Sequence, residues 1–377
     1  MDKRVILAVA GAGKTYTICN EIDENKKNLI IAYTNENIRN IKKELVKRFG
    51  YIPKLTSIMT FDSFVYRYMI CPYEPTILKK FGKTEFIRKG ITMKEPPQKN
   101  IKIKGKTYIN SKYKKKDNLE HYNLSGYYYC STLSELILKS DVGKNGIIKK
   151  ISNRLNMFYD QIMIDEFQDF RKYDFDLIMK LVSRVNKILL VGDYYQHSVS
   201  GRNNSGKPFK KGKKDISYDE FVELLQKNKL KVDCVSLGTS RRCPKEICEF
   251  ISKKLNIQIK FNNKNYGIIK FAKDDEIKDI LEDDSIVKLL YQDAAKYEFN
   301  SINWSYSKGN TYESTCVILT QAFENIEIEN FDISEISSIV INKLYVALSR
   351  TKGDLILIKK SQFDKLKRIY QVKNIEI

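Results

Sequence analysis

Eight residues close to the start of the chain, Ala8-Val9-Ala10-Gly11-Ala12-Gly13-Lys14-Thr15, limit what it can fold into more than any other feature. They follow an apolar run, Val5-Ile6-Leu7-Ala8-Val9, with the length and character of a buried strand. They precede a helix-compatible stretch from Lys14 to Glu24. Strand, small-residue turn and helix together describe a loop for holding phosphates. Small residues let successive backbone N–H groups curl around an anion, and the helix N-terminus adds its dipole. In such a loop Lys14 reaches the outer phosphates and the hydroxyl of Thr15 sits on Mg²⁺. The first glycine of the usual pattern is replaced by Ala8. The expected nucleotide contacts are Ala10, Gly11, Ala12, Gly13, Lys14, Thr15 and Tyr16.

About 150 residues on, a second apolar run ends in two adjacent carboxylates, Ile162-Met163-Ile164-Asp165-Glu166-Phe167-Gln168-Asp169. Strand C-termini of a parallel sheet open into the ligand crevice. Asp165 can therefore share the Mg²⁺ with Thr15, and Glu166 can polarise the water that attacks a terminal phosphate. Alone, the pair reads equally well as an acidic turn after a core strand. Its order after Gly11-Ala12-Gly13-Lys14-Thr15 favours the metal and the base.

The 377 residues carry 67 Lys and Arg against 46 Asp and Glu, a formal charge of +21, and 24 tyrosines. That balance suits a nucleic-acid partner, although lysine-rich composition alone produces the same excess. The charge clusters. One cluster runs from Lys99 to Lys116 and includes Ile101-Lys102-Ile103-Lys104, Tyr108, Tyr113 and Lys114-Lys115-Lys116; another spans Arg202 to Lys214. Seven scattered cysteines without a CxxC pair, and only two histidines, argue against zinc or a disulfide framework. They read as reduced core thiols in a cytoplasmic protein. The run after Lys3-Arg4 is too short for a signal peptide, and no stretch reaches the length of a membrane span.

Strand-like and helix-like segments alternate through the first 70 residues, at Asn28–Tyr33, Glu36–Phe49, Leu55–Met59 and Phe61–Met69. Alternation of this kind predicts a parallel α/β sheet. The pattern breaks over 71–145, which reads as an insertion with a tyrosine cluster at Tyr127-Tyr128-Tyr129. It resumes with strands at Gln161–Ile164 and Ile188–Val191 and a helix over Tyr173–Val185. The expected division is a first lobe of 1–70 plus 146–205, the insertion, and a second α/β lobe over 206–377. Strands of the second lobe are expected at Val232–Leu237, Gly267–Phe271, Cys316–Leu319 and Leu355–Ile358, with an amphipathic segment over Ile333–Arg350.

Taken in order, these segments resemble a superfamily 1 helicase of the UvrD/Rep/PcrA type. The phosphate loop and Asp165-Glu166-Phe167-Gln168-Asp169 are two of the motifs. Ile31-Ala32-Tyr33-Thr34-Asn35 and Thr60-Phe61-Asp62-Ser63-Phe64 resemble strand-contact motifs, and Val191-Gly192-Asp193-Tyr194-Tyr195-Gln196 resembles the coupling motif. Leu237-Gly238-Thr239-Ser240-Arg241-Arg242, Ser307-Lys308-Gly309 and Tyr345-Val346-Ala347-Leu348-Ser349-Arg350-Thr351 resemble motifs of the second lobe. The resemblance implies two RecA-like lobes with ATP and Mg²⁺ in the cleft between them. Lys14, Glu166, Gln196, Arg242 and Arg350 would act on the phosphates, Thr15 and Asp165 would hold the metal, and Arg241 would face the base. Tyr33, Thr34, Asn35, Thr60, Phe61, Thr239, Ser307 and Lys308 would meet single-stranded DNA, with RNA as an alternative.

The chain departs from the family pattern. Arg241 stands at a usual tyrosine, Asp62 and Ser305 at usual histidines, Thr311 at a glutamate, and Gly201 near a wedging aromatic. About 60 residues separate Arg242 from Ser307, too few for the large second-lobe insertion of UvrD-type enzymes. The implied function is a single-strand translocase or short-range helicase. The alternative is a regulatory ATPase that does not unwind and works with a partner such as a nuclease. No membrane role is expected.

Overall fold

Uninterrupted runs of Ile, Leu and Val suit strands covered on both faces, as in a parallel sheet. The computed structural model describes residues 2–84, 88–103, 105–199, 206–212, 214–262 and 264–372. In it two parallel sheets form, with such runs at Asp2–Leu7, Asn28–Ala32, Gln161–Ile164, Lys187–Gly192 and Leu355–Ile358. The first holds β1 (Asp2–Leu7), β2 (Asn28–Ala32), β3 (Thr56–Thr60), β4 (Gln161–Ile164), β5 (Lys187–Gly192) and β6 (Lys231–Asp233). Its order is β6-β1-β5-β4-β2-β3, with every pairing parallel. The second holds β7 (Ile269–Phe271), β8 (Val287–Leu290), β9 (Ser301–Asn303), β10 (Thr315–Ile318) and β11 (Leu355–Ile358). Its order is β7-β11-β10-β8-β9, again all parallel. The architecture is the expected α/β one, with two RecA-like lobes.

Side chains alternate across each strand. Val5, Leu7, Leu29, Ile31, Ile162 and Ile164 pack on one face of the first sheet, together with Phe64, Leu136 and Phe175. Ile6, Ile30, Met163, Leu189 and Val191 pack on the other face. That second core continues into Leu289, Trp304, Val317 and Leu355 of the second lobe. The shared core sets the C-terminal ends of β1, β4 and β5 against the second half of the chain.

Several expectations need correction. β6 pairs with β1, and Phe221 and Leu225 of the preceding helix Tyr218–Lys227 lie in the first core. The first lobe therefore reclaims residues after 205, and the strand read as Val232–Leu237 is its edge rather than part of the second lobe. The segment over 71–145 forms a small sheet (Gly90–Thr92, Asn123–Leu124, Tyr127–Tyr129) and a hairpin (Asn100–Ile103 with Lys106–Ile109). Its Tyr122 and Tyr128 are buried in the first lobe's core, so it is welded to that lobe. β8 was not legible because Lys288 interrupts it. That side chain is wholly buried and donates to Asp283 O at 2.6 Å. The amphipathic stretch forms a helix only over Ser338–Leu348, and its residues Leu344 to Leu348 are all buried, since it is wedged between the two lobes.

Candidate nucleotide site

β1 ends at Leu7, and the chain turns tightly before the helix Lys14–Asn20 begins. Gly11 at φ 72° and Gly13 at φ 91° make that turn, in the left-handed region that side chains disfavour. The turn is gripped from outside. Val9 N–H donates to Leu237 O at 2.9 Å, and Arg241 N–H donates to Gly11 O at 2.9 Å. A Cβ on Gly11 would lie 2.7 Å from Arg242 Cβ and 2.8 Å from Ser240 Oγ. Gly11→Ala should therefore weaken nucleotide binding and lower the thermal midpoint by more than Gly50→Ala does. Gly50 has a similar φ of 79° but open space around it, so the pair of variants separates crowding from backbone strain. Equal effects in thermal melts and nucleotide titrations would remove the crowding argument.

Asp165 and Glu166 follow β4. Thr15 Oγ1 donates to Asp165 Oδ2 at 3.1 Å. Glu166 sits at φ 52°, an uncommon conformation for a residue with a side chain, costing about 1–3 kcal/mol. Its side chain is fixed on both sides. Oε1 lies 3.6 Å from Lys14 Nζ, Oε2 lies 3.5 Å from Lys308 Nζ, and Gln168 Nε2 donates to it. Burial pushes the Asp165 carboxyl upward, and the Glu166 charge pushes it the same way. Burial acts on Glu166 too, but Lys14 and Lys308 outweigh it and hold that carboxyl below the ordinary range.

A buried carboxylate beside a hydroxyl is an all-oxygen donor pair, and a cation there would relieve the charge that burial penalises. This fits Mg²⁺, which uses one or two carboxylates and completes its shell with phosphate oxygens and water. Among the described residues no group of three or more His, Cys, Asp or Glu is arranged to hold a metal.

After β5, burial raises the Asp193 carboxyl to about 6. Its Oδ2 accepts from Tyr345 Oη at 3.1 Å, and Ala10 N–H donates to the same hydroxyl at 2.7 Å. Tyr345 comes from the helix Ser338–Leu348 of the second lobe. The Ala10 amide is thus used by Tyr345, and the residue is buried behind the loop; the expectation that it meets nucleotide is corrected. Arg242 Nη1 donates to Ser349 O at 3.0 Å, and Arg350 Nε donates to Val346 O at 2.8 Å. Burial lowers both guanidinium groups, and the nearby Arg242 charge helps to bring Arg350 to about 10.

These elements enclose a cavity of about 360 Å³. Gly11 to Tyr16, Glu166 and Gln196 line one side, and Arg241, Arg242, Gly309, Thr311 and Arg350 line the other. The Arg241 guanidinium lies 5.4 Å from the Tyr16 ring centre. Asn37, Asn40, Asn265 and Lys352 also line the cavity and were not singled out by sequence.

The expected strand contacts are less uniform. Thr34 and Asn35 are exposed, and Tyr33, Thr60 and Thr239 are half-buried. Tyr33 meets Phe170 edge-on at 5.5 Å, while Thr34 and Thr60 cap the helices that follow them. Phe61 is buried against Phe170, and Ser307 is fully buried with its Oγ donating to Trp304 O at 2.7 Å. Neither reaches a surface where a strand could lie. Lys308 points into the carboxylate cluster instead. Trp304 is a core residue, with Nε1 donating to Leu289 O at 3.0 Å. Of the basic cluster, Lys114 pairs with Glu120 and Lys116 with Glu135, which reduces its free charge. Gly201, residues 202–205 and 213 of the stretch from Arg202 to Lys214, and Lys104 lie outside the described residues.

Residues 2–202 match the AAA domain family. No curated protein matches the chain. Solved structures that it resembles include the PRRSV helicase, at 11% identity and a TM-score of 0.44, covering 98% of this chain and 54% of that one. Another is the Arterivirus nonstructural protein 10 helicase in complex with DNA, at 10% identity and a TM-score of 0.45, covering 98% of this chain and 62% of that one. The chain thus spans between half and two thirds of the length of these helicases. No helix of the described residues is long and apolar enough to cross a membrane.

Proposed function

The chain belongs to the AAA domain family, and on that premise we propose that it is a nucleic-acid-dependent ATPase of superfamily 1, a compact UvrD/Rep/PcrA-like motor on single-stranded DNA. One observation carries the reading. The phosphate loop, the Glu166 carboxylate, and Arg242 and Arg350 from the far half of the chain line one cavity, with Asp165 behind it accepting from Thr15 Oγ1. Phosphoryl transfer needs cations on developing charge, and an arginine supplied across an interface is a strong accelerator. Lys14 binds the outer phosphates. Thr15 and Asp165 would hold Mg²⁺, which would neutralise phosphate charge. Glu166 orients the attacking water, Gln196 faces the terminal phosphate, and Arg242 and Arg350 stabilise the transferring group. Tyr16 and Arg241 offer flat faces to the base. Because the two sides of the cavity come from different lobes, nucleotide favours closure and hydrolysis releases it.

Single strands should bind with a steep salt dependence, given the charge of +21. Fluorescence anisotropy of a labelled strand across a salt series measures this. A flat response would return the lysine excess to composition.

A non-unwinding regulatory ATPase is the second reading, favoured by the burial of Phe61 and Ser307 where strand contacts were expected. Displacement of a tailed duplex, measured beside strand-stimulated ATP turnover, tests the two together. Displacement with turnover supports the motor; turnover without displacement supports the regulator; turnover that ignores single strands removes both.

A further inference from the structure

We propose that Lys308 is a positioning residue that ties closure of the second lobe to Glu166, and is not a contact to the nucleic-acid strand. The inference rests on the ATPase reading above. Lys308 follows β9 and the turn Trp304–Ser307, which is anchored by the buried Trp304 and by the Ser307 hydroxyl. Its backbone is therefore fixed within the second lobe. Its side chain crosses to the first lobe, where Nζ lies 2.7 Å from both oxygens of Asp169 and 3.5 Å from Glu166 Oε2.

The two carboxylates are held as a unit. Asp169 lies one short turn after Glu166, and Gln168 between them donates to Glu166 while its Oε1 accepts from Asp193 N–H at 2.8 Å. Each oxygen of Glu166 faces one cation, Lys14 from its own lobe and Lys308 from the other. The charge-assisted contacts of Lys308 with these two carboxylates exist only while the second lobe lies against the first. Lys308 thus favours the closed arrangement and fixes the direction of Glu166 only within it. The same segment has an outward end: Tyr306 is 72% exposed, two residues from Lys308.

The test uses the full chain and oligo-dT as the strand. Lys308→Met, Lys308→Arg, Asp169→Asn and the Asp169→Asn/Lys308→Met double variant are compared for kcat and KM of ATP, and for oligo-dT affinity without nucleotide. The expected result is a strand-stimulated kcat lowered roughly tenfold or more in Lys308→Met, with KM and oligo-dT affinity within about twofold of wild type. Lys308→Arg should recover most of the rate. The double variant should be no slower than Lys308→Met, because the two groups act as one unit. It removes both charges, so it remains informative if Lys308→Met alone fails to fold. Weakened oligo-dT affinity with unchanged kcat at saturating strand would make Lys308 a strand contact and overturn the proposal, as would additive losses in the double variant. A wild-type protein without ATPase activity would instead overturn the ATPase reading itself.

Discussion

Glu166→Gln is expected to bind ATP and Mg²⁺ almost as wild type does, while turning over roughly 10²–10⁴-fold more slowly. The substitution is nearly isosteric. It leaves Thr15 and Asp165, 3.1 Å apart, to hold the metal, and leaves Lys14 for the phosphates. It removes the one carboxylate that faces the cavity beside both lysines. Lys14→Ala should also abolish turnover, but through lost phosphate contact and therefore with weakened binding. Nucleotide affinity measured beside single-turnover hydrolysis separates the two variants. Near-normal turnover in Glu166→Gln would take away its assigned role as the residue that activates water.

Arg350→Ala should lower turnover by roughly 10³-fold, with Arg242→Ala close behind, and both should affect nucleotide affinity far less. Both side chains line the cavity opposite the phosphate loop. Both are fixed by backbone carbonyls of the second lobe: Val346 O for Arg350 and Ser349 O for Arg242. Among the described residues neither is in a salt bridge with a carboxylate, so both charges face the cavity. A conservative lysine retains charge but loses the planar fork, so it should rescue poorly. If either alanine variant turned over ATP at the wild-type rate, that arginine would not act on the transferring phosphate.

The parts of the site that were legible in sequence are those written in short contiguous runs. Gly11-Ala12-Gly13-Lys14-Thr15 and Asp165-Glu166 each follow an apolar strand, and a strand followed by a tight turn leaves little choice of geometry. The strands themselves were legible wherever apolar runs were unbroken, as at Asn28–Ala32 and Leu355–Ile358. What escaped depends on contacts distant in sequence. Tyr345 and Ala10 are separated by 335 positions, and Lys308 and Asp169 by 139. No local periodicity records such pairings. Lys308 reads as a strand contact only through the resemblance of Ser307-Lys308-Gly309 to a family motif, and a motif does not record which partner the side chain finds in this fold. Motif position sets Phe61 and Ser307 on the strand but carries no information about burial; as an apolar aromatic, Phe61 reads better as core packing. The return of the chain to the first sheet at Lys231–Asp233 was hidden for a similar reason. A three-residue edge strand carries too little pattern to say which sheet it joins.

The most direct measurement is ATP turnover by the wild-type protein at saturating ATP and Mg²⁺ while single-stranded DNA is titrated in, with strand binding followed by anisotropy in the same samples. The basal rate is expected to be low and to rise with strand occupancy to a plateau, as it would if a strand across the two lobes favoured the arrangement that brings Arg242 and Arg350 to the phosphates. A rate that stays flat while the strand binds to saturation would contradict it.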